Sequence, residues 1–262
     1  MSSLETRLYE VRVVRLQHRQ RPDAPTEDLW RLLGATAVPY SKQALWSAND
    51  LRLGEGARLA ADRLNELFAE APDRSANISV LVVREDMDFV ITVGGARESL
   101  DVLWTDASGR LMGRRFDRAL AQFRVVCRRD PARPDAVCVA MVPEVLFGAE
   151  ELHWVRTPTG HVQRMSRGSF VLTDLAAEAS LTTGRLLVIG GTPSSALSLG
   201  GAMFFEHRGP DTWTQTVIIS VTQARPEEVP RDQPATLLPK ARPSPAPPDP
   251  KAPPKAPAKS GG

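Results

Sequence analysis

The sequence predicts an α+β fold: a small N-terminal α/β unit, a β-rich domain that is sandwich-like and mostly antiparallel, and a disordered proline-rich tail. Three observations predict it. Apolar residues follow a helical period in parts of the first 75 residues, and from Ile78 onward the period falls to two. Short β-type segments then recur between turns of sound chemistry, as a sandwich or barrel-like sheet pair requires. Beyond Arg225, 37 residues hold 12 of the 22 prolines. Such a segment buries too little apolar surface to offset its ordering entropy. The expected domains are 1–75, 76–225 and a Pro/Ala/Lys-rich tail over 226–262.

Leu8–Leu16 alternates as a half-buried strand. His18–Pro25 reads as a loop. Thr26, with Glu27 and Asp28 behind it, starts a short helix that ends at Gly34. A second helix is expected over Ser41–Ala48 with a serine cap, followed by a short strand at Leu51–Leu53. The clearest helix covers Ala57–Ala69. It places Leu59, Leu64, Leu67 and Phe68 on one side, and Arg58, Asp62, Arg63 and Glu66 on the other.

Further strands are expected at 78–84, 88–93, 99–105, 120–128, 136–142, 151–156, 161–165, 184–190, 201–207 and 214–222. Between them lie the turns Asp106–Gly109, Asp130–Asp135, Thr157–Gly160 and Arg208–Asp211. Asp174–Ser180 fits either one helical turn or a bulged strand. No internal repeat is present.

Charge narrows the function. The tail carries six basic and four acidic residues, which equals the whole-chain net charge of +2, so the body is neutral. A neutral body argues against a phosphate-tracking surface, and nucleic acid is not an expected partner. Lys42 is the single lysine of the body, a bias that fits GC-rich bacterial coding. No stretch approaches the roughly 20 apolar residues of a transmembrane helix. The N-terminus lacks the apolar core of a secretory signal, so the sequence as it stands reads as cytoplasmic. Membrane association is left open.

The search for chemistry names no catalytic, cofactor-binding or metal-ligating residue. His18, His153, His161 and His207 show no metalloprotease spacing, and there is no C-x-x-C. The acidic groups at Arg84–Asp88 and Glu150–Glu151 lack the closing pattern of a calcium loop. Gly190-Gly-Thr-Pro-Ser-Ser195 has neither the Gly-Lys-Ser/Thr of a phosphate loop nor the serine of a nucleophile elbow, and Pro193 removes a backbone donor. Five scattered tryptophans form no stacking stripe.

Cys127 and Cys138 flank the Asp130–Asp135 turn symmetrically. Two readings stand. They face each other as a redox-sensitive pair at disulfide distance, or they are buried thiols acting as small hydrophobes. Gly184, Gly190, Gly191, Gly200 and Phe204 are singled out as shapers of the sheet and its glycine-rich loop, with a structural or interaction role.

Residues 123–222 carry a pattern: Val142-Pro-Glu-Val145, Gly184-Arg-Leu-Leu-Val-Ile-Gly-Gly191, Leu199-Gly200 with Phe204-Phe205, and Val217-Ile-Ile-Ser-Val221. This run resembles the C-terminal β-domain of bacterial secretins, the outer-membrane ring proteins of secretion and pilus systems. Tyr9–Val14 is similar to the strand that opens the secretin core. The resemblance implies a non-enzymatic structural or assembly protein of an envelope-associated complex, with protein partners or self-association and no cofactor. It places the protein at the cell envelope if the start is truncated. The alternatives are a small-molecule or peptide-binding module that uses the mouth between two sheets, and, behind it, an enzyme of unknown type.

Overall fold

The computed structural model describes residues 7–20, 30–34, 38–57, 74–157, 160–192 and 194–223. The expected helix over Ala57–Ala69 and the tail over 226–262 lie outside the described residues. Of the expected helix at 26–34, residues 30–34 are described, and a helical turn covers 30–32.

The elements in chain order are β1 (Leu8–Arg19), α1 (Tyr40–Ala48), β2 (Leu51–Gly56), β3 (Arg74–Arg84), β4 (Asp88–Thr105), β5 (Leu111–Arg129), β6 (Ala136–Thr157), β7 (Gly160–Val171), a 3₁₀ turn at Thr173–Leu175, β8 (Ala177–Thr182), β9 (Leu186–Gly191), α2 (Leu199–Phe204), β10 (Phe205–Arg208) and β11 (Asp211–Gln223). The fold is α+β and β-rich. All strand ladders are antiparallel. One sheet, sheet A, has the order β2-β9-β11-β1-β3 with β10 also on β11; the other, sheet B, runs β4-β5-β6-β7 with β8 also on β6.

The core lies where the sheets face each other. Val11, Val13, Val217 and Ile219 from sheet A join Phe123, Val125, Val139 and Met141 from sheet B in one buried cluster. α2 is buried along its whole length. Its Phe204 ring lies 6.1 Å from Phe123, which stacks on Trp46 of α1 at the same separation.

Asn49 locks this junction. Its side-chain oxygen accepts from the Thr105 N–H at 2.8 Å, and its amide donates to the carbonyls of Leu45 at 2.8 Å and Thr105 at 3.0 Å. The Asn49 backbone carbonyl accepts from the Gly200 N–H at 2.9 Å. One buried residue thus ties α1, the end of β4 and α2 together.

Several expectations need correction. The boundary at residue 75 does not separate two domains: β1 pairs along its length with β11, so both ends of the folded chain share a sheet. The expected strand at 201–207 is α2 followed by β10. α1 starts one residue early, with Pro39 at its N-cap and no side-chain cap. The strand pairs 88–93 with 99–105, and 136–142 with 151–156, are each one long bulged strand, β4 and β6.

Pro143 sits inside β6 for a local reason. Its carbonyl accepts from the Leu172 N–H at 3.0 Å. The missing proline N–H would point the same way, into the gap where β6 changes partner from β8 to β7.

Candidate assembly surface

Sheet B divides at one end. The β5–β6 pairing stops at Leu120–Leu146. Beyond it β4–β5 continues to Thr105–Leu111 and β6–β7 to Thr157–Gly160, as two separate two-stranded arms. Each arm bulges where it leaves the shared sheet: β4 between Val93 and Arg97, β6 between Phe147 and Glu151. Gly94, Arg118 and Gly148 take positive φ values of 72°, 49° and 78° along this line. A bulge bends its strand and raises its twist, so the chain turns there by construction.

Arginines bridge the two arms at their base. Arg167 of β7 donates from Nε at 3.1 Å and Nη2 at 3.0 Å to the Gly148 carbonyl, and from Nη2 to the Arg118 carbonyl on the other arm. Arg114 of β5 lies 4.9–5.0 Å over the rings of Phe116, Phe147 and Phe170, a geometry that favours a cation. Those rings pack at 5.4–5.5 Å around Phe116.

A carboxylate anchors the shared part just below. Glu144 is buried and accepts from Gln122 Nε2 at 2.8 Å, from Arg124 Nη2 at 2.6 Å and from the Ser169 hydroxyl. Burial pushes its pKa up, but the bonds from Ser169, Gln122 and Arg124 together outweigh it, and the carboxyl ends below its usual range. On the β4 side, Arg97 donates to the Phe205 carbonyl at 2.6 Å, which ties the bulge to sheet A.

The two arms differ in what supports them. On the β4–β5 arm Leu100, Val102 and Phe116 are buried in the core. On the β6–β7 arm every described side chain between Glu151 and Ser166 is exposed. Trp154 is 67% exposed, and Leu152, Val162 and Met165 are each more than half exposed. Leu152 stands opposite Met165, with Trp154 two residues along on the same face. A two-stranded ribbon is at best marginally stable in water by itself. Here it also carries an apolar stripe.

The outer strand β7 of sheet B leaves one edge unpaired among the described residues; the outer edge of β4 is met near its end, where the Leu103 N–H donates to the Leu197 carbonyl at 2.7 Å and Thr105 bonds Asn49. In sheet A the outer strand β3 has arginines at its two ends, Arg74 and Arg84, and between them reads Ser75-Ala-Asn-Ile-Ser-Val-Leu-Val-Val83, with no charge, proline or glycine. Charges and prolines are the usual devices that blunt an edge.

The residues singled out from the sequence fall in three places. Gly191, Gly200 and Phe204 meet: a Cβ on Gly191 would lie 2.8 Å from the Gly200 carbonyl oxygen and 3.0 Å from the Phe204 Cβ. Gly190 points to the opposite face of sheet A, under the Trp30 ring, and Gly184 forms the turn before β9 with φ +84°. None of the five lies on the β6–β7 arm.

Cys127 and Cys138 do not face each other. Cys127 pairs with Val139 and Arg128 with Cys138, so the hairpin register is one residue off the symmetric one. A one-residue slip turns a side chain to the other face. The Cys127 thiol points into the core and Cys138 lies beside Glu178, 3.7 Å from its Oε2. Both thiols are free. Burial, with the nearby Cys138, pushes Cys127 up to about 12; burial also raises Cys138.

Sequence reasoning found the β6–β7 hairpin but not its exposure. The signal available was apolar residues on both sides of the Thr157–Gly160 turn, with no complementary apolar segment to cover them. Among the described residues no group of three or more His, Cys, Asp or Glu could hold a metal ion. No described helix is long and apolar enough to cross a membrane. Two cavities, of about 240 Å³ beside Trp30 and Trp46 and about 260 Å³ beside Gln20 and His207, fall below the roughly 300 Å³ at which ligand pockets begin.

No protein-family model matches the chain, and no curated protein does. Among solved structures it is similar to the InvG secretin-domain β-barrel of the Salmonella SPI-1 injectisome, at 12% identity and a TM-score of 0.26, over 87% of this chain and 66% of that one. It is also similar to the Vibrio cholerae type IV competence pilus secretin PilQ (9%, TM-score 0.24, 84% and 60%). A third likeness is to the Klebsiella pneumoniae type II secretion system outer membrane complex of PulD, PulS and the PulC HR domain (9%, TM-score 0.23, 84% and 40%). The chain therefore spans less than two thirds of each of these chains, and its resemblance to secretin domains is a weak one.

Proposed function

We propose that this protein is a non-enzymatic assembly component, secretin-like in kind, whose β6–β7 arm packs against a second copy of the same chain. The exposed stripe of Leu152, Trp154 and Met165 on an arm without a described core carries the reading. In this reading copies join through the unpaired outer edge of β7 and the part of β4 that lies before its Leu103–Thr105 contacts. β7 of one copy meets β4 of the next, edge to edge, and the four-stranded sheet continues from chain to chain. Such a contact is head-to-tail, so it closes into a ring or propagates as a filament.

Magnitudes support a multi-part contact. Burying the stripe of Leu152, Trp154 and Met165 contributes roughly 4.5–9 kcal/mol at about 1.5–3 kcal/mol for each side chain. Association costs about 4–15 kcal/mol in lost freedom. The apolar stripe alone about balances that cost, and the new ladder hydrogen bonds along β4 and β7 supply the surplus. An envelope-associated complex is the setting we propose for such an assembly.

The test is the solution mass of the full chain across a dilution series. Multimers that dissociate on dilution support the reading. A monomer at every concentration overturns it.

A further inference from the structure

We propose that β3 pairs with β3 of a second copy, antiparallel and centred on Val80, so that sheet A continues across a two-fold axis. The contact is separate from the β6–β7 arm and does not rest on it.

The strand is built as an open edge. β3 is an outer strand of sheet A, bonded on one side to β1, and its other edge has no partner among the described residues. The nine residues from Ser75 to Val83 hold no charge, proline or glycine. Unpaired N–H and C=O groups along such an edge are a template for a further strand. Leu81 and Val83 pack toward the core. Ile78, Val80 and Val82 therefore point to the opposite face, where they are 54–65% exposed. On that face β1 sets exposed Glu10 beside Val82 and exposed Arg12 beside Val80. An apolar stripe thus runs along the open edge, with charge behind it.

The stripe fits itself. A two-fold axis normal to the sheet keeps the faces of the two copies, so even-numbered residues meet even-numbered ones. Centred on Val80, the pairing sets Ile78 opposite the partner's Val82, Val80 opposite the partner's Val80 and Val82 opposite the partner's Ile78. The three apolar side chains of each copy then become direct cross-strand neighbours of the other three. Centring on Ser79 would set Arg74 opposite the partner's Arg84 at both ends, and like charges directly opposite are destabilising. It would also leave Val82 opposite the partner's Ala76. Centring on Leu81 would set Ile78 opposite the partner's Arg84. Of these registers only the one at Val80 satisfies both the stripe and the charged ends.

Three side chains and one ladder from each copy make a small contact, at the low end of specific interfaces. Isolated chains therefore pair transiently and keep a monomer's mass, and a covalent trap reveals the pair.

The trap is a single cysteine placed in full-length Leu152→Glu with Trp154→Glu. The arm contact then plays no part, and its failure is a separate result. Val80→Cys meets its own twin across the axis, with Cβ atoms about 5 Å apart. Val82→Cys is at a site at least as exposed. Its twin lies about 13 Å farther along the strand, so with a short bismaleimide Val80→Cys is expected to form linked pairs roughly tenfold faster. An equal mixture of Ile78→Cys and Val82→Cys should form mixed pairs at a rate near that of Val80→Cys. Equal rates at 80 and 82 overturn the proposal, because linking is then mere collision. No linked pair at either position overturns it too and, where β3 amides are protected from exchange, assigns the edge to a different strand.

Discussion

The Arg167 guanidinium of β7 donates to the Gly148 carbonyl from Nε at 3.1 Å and from Nη2 at 3.0 Å. The same Nη2 reaches the Arg118 carbonyl across the division of sheet B. One side chain therefore satisfies backbone oxygens at both bulges, Arg118 with φ 49° and Gly148 with φ 78°. Without it, two carbonyls at a bent and partly covered strand junction lose their charged donor.

Arg167→Ala is expected to lower stability by about 1–2 kcal/mol, the lower part of the range for hydrogen bonds to a charged group because the site is half-exposed. Amide exchange over 149–168 should speed up more than exchange in β1 or β11. Arg167→Lys should not restore it, since a single ammonium lacks the fork that reaches both oxygens. Exchange measured by mass spectrometry checks this, and equal protection in Arg167→Ala and wild type would refute the role.

Gly200 carries the tightest demand among the glycines singled out from the sequence. A Cβ there would sit 2.0 Å from the Asp50 carbonyl oxygen, which is backbone and cannot swing aside. Gly200→Ala is expected to cost more than about 4 kcal/mol, in the range of severe overpacking and strain, and to abolish cooperative unfolding. Gly184→Ala meets open space and has only its φ of +84° to overcome, so it should cost about 1 kcal/mol. Thermal melts of the two variants separate the effects.

Glu144 gives the acid limb of stability a named contributor. Its carboxyl is held below the usual range in the folded state, so the unfolded chain takes up a proton first as pH falls. The stability it adds is complete above the unfolded carboxylate pKa near 4.5, and it is lost as pH falls through the lower folded value. Glu144→Gln removes this component. Urea midpoints between pH 3 and pH 6 should therefore depend less on pH in the variant than in wild type.

The two cysteines should behave as unreactive thiols. Cys127, pushed up to about 12, carries almost no thiolate at neutral pH, and Cys138 is also raised. A thiol reagent at neutral pH should label both sites slowly in native protein and rapidly in denaturant. Mild oxidation should leave the monomer mass without the loss of two hydrogens; an intramolecular disulfide formed without unfolding would contradict the register.

Much of this architecture is legible in the sequence, for identifiable reasons. β1, β9 and β11 have apolar runs that only a sheet accommodates, and the turns at Asp106–Gly109 and Arg208–Asp211 carry their own backbone chemistry. α2 was not legible as a helix, because Gly200 and Gly201 are poor helix formers. They are there because Asp50 and Ser195 carbonyls approach their Cα atoms. Ser198 was the available cue: its hydroxyl oxygen accepts from the Gly201 N–H at 3.1 Å, as an N-cap does.

The long strands were hidden by their bulges, since Gly94-Gly95 and Gly148 look like strand ends when the continuing partner strand is unseen. The cysteine register turned on one residue in a loop. The exposed β6–β7 arm was legible only as a hairpin, because periodicity reports which residues share a face and not whether anything covers that face.

We propose that the β6–β7 arm joins one copy to the next. The most direct measurement is the solution mass of the full chain against Leu152→Glu with Trp154→Glu, both exposed positions on one face of the arm. Multimers are expected for wild type and monomers for the double variant, with unchanged melting of the monomeric fold. Equal mass for the two proteins, whether both monomeric or both assembled, would contradict it.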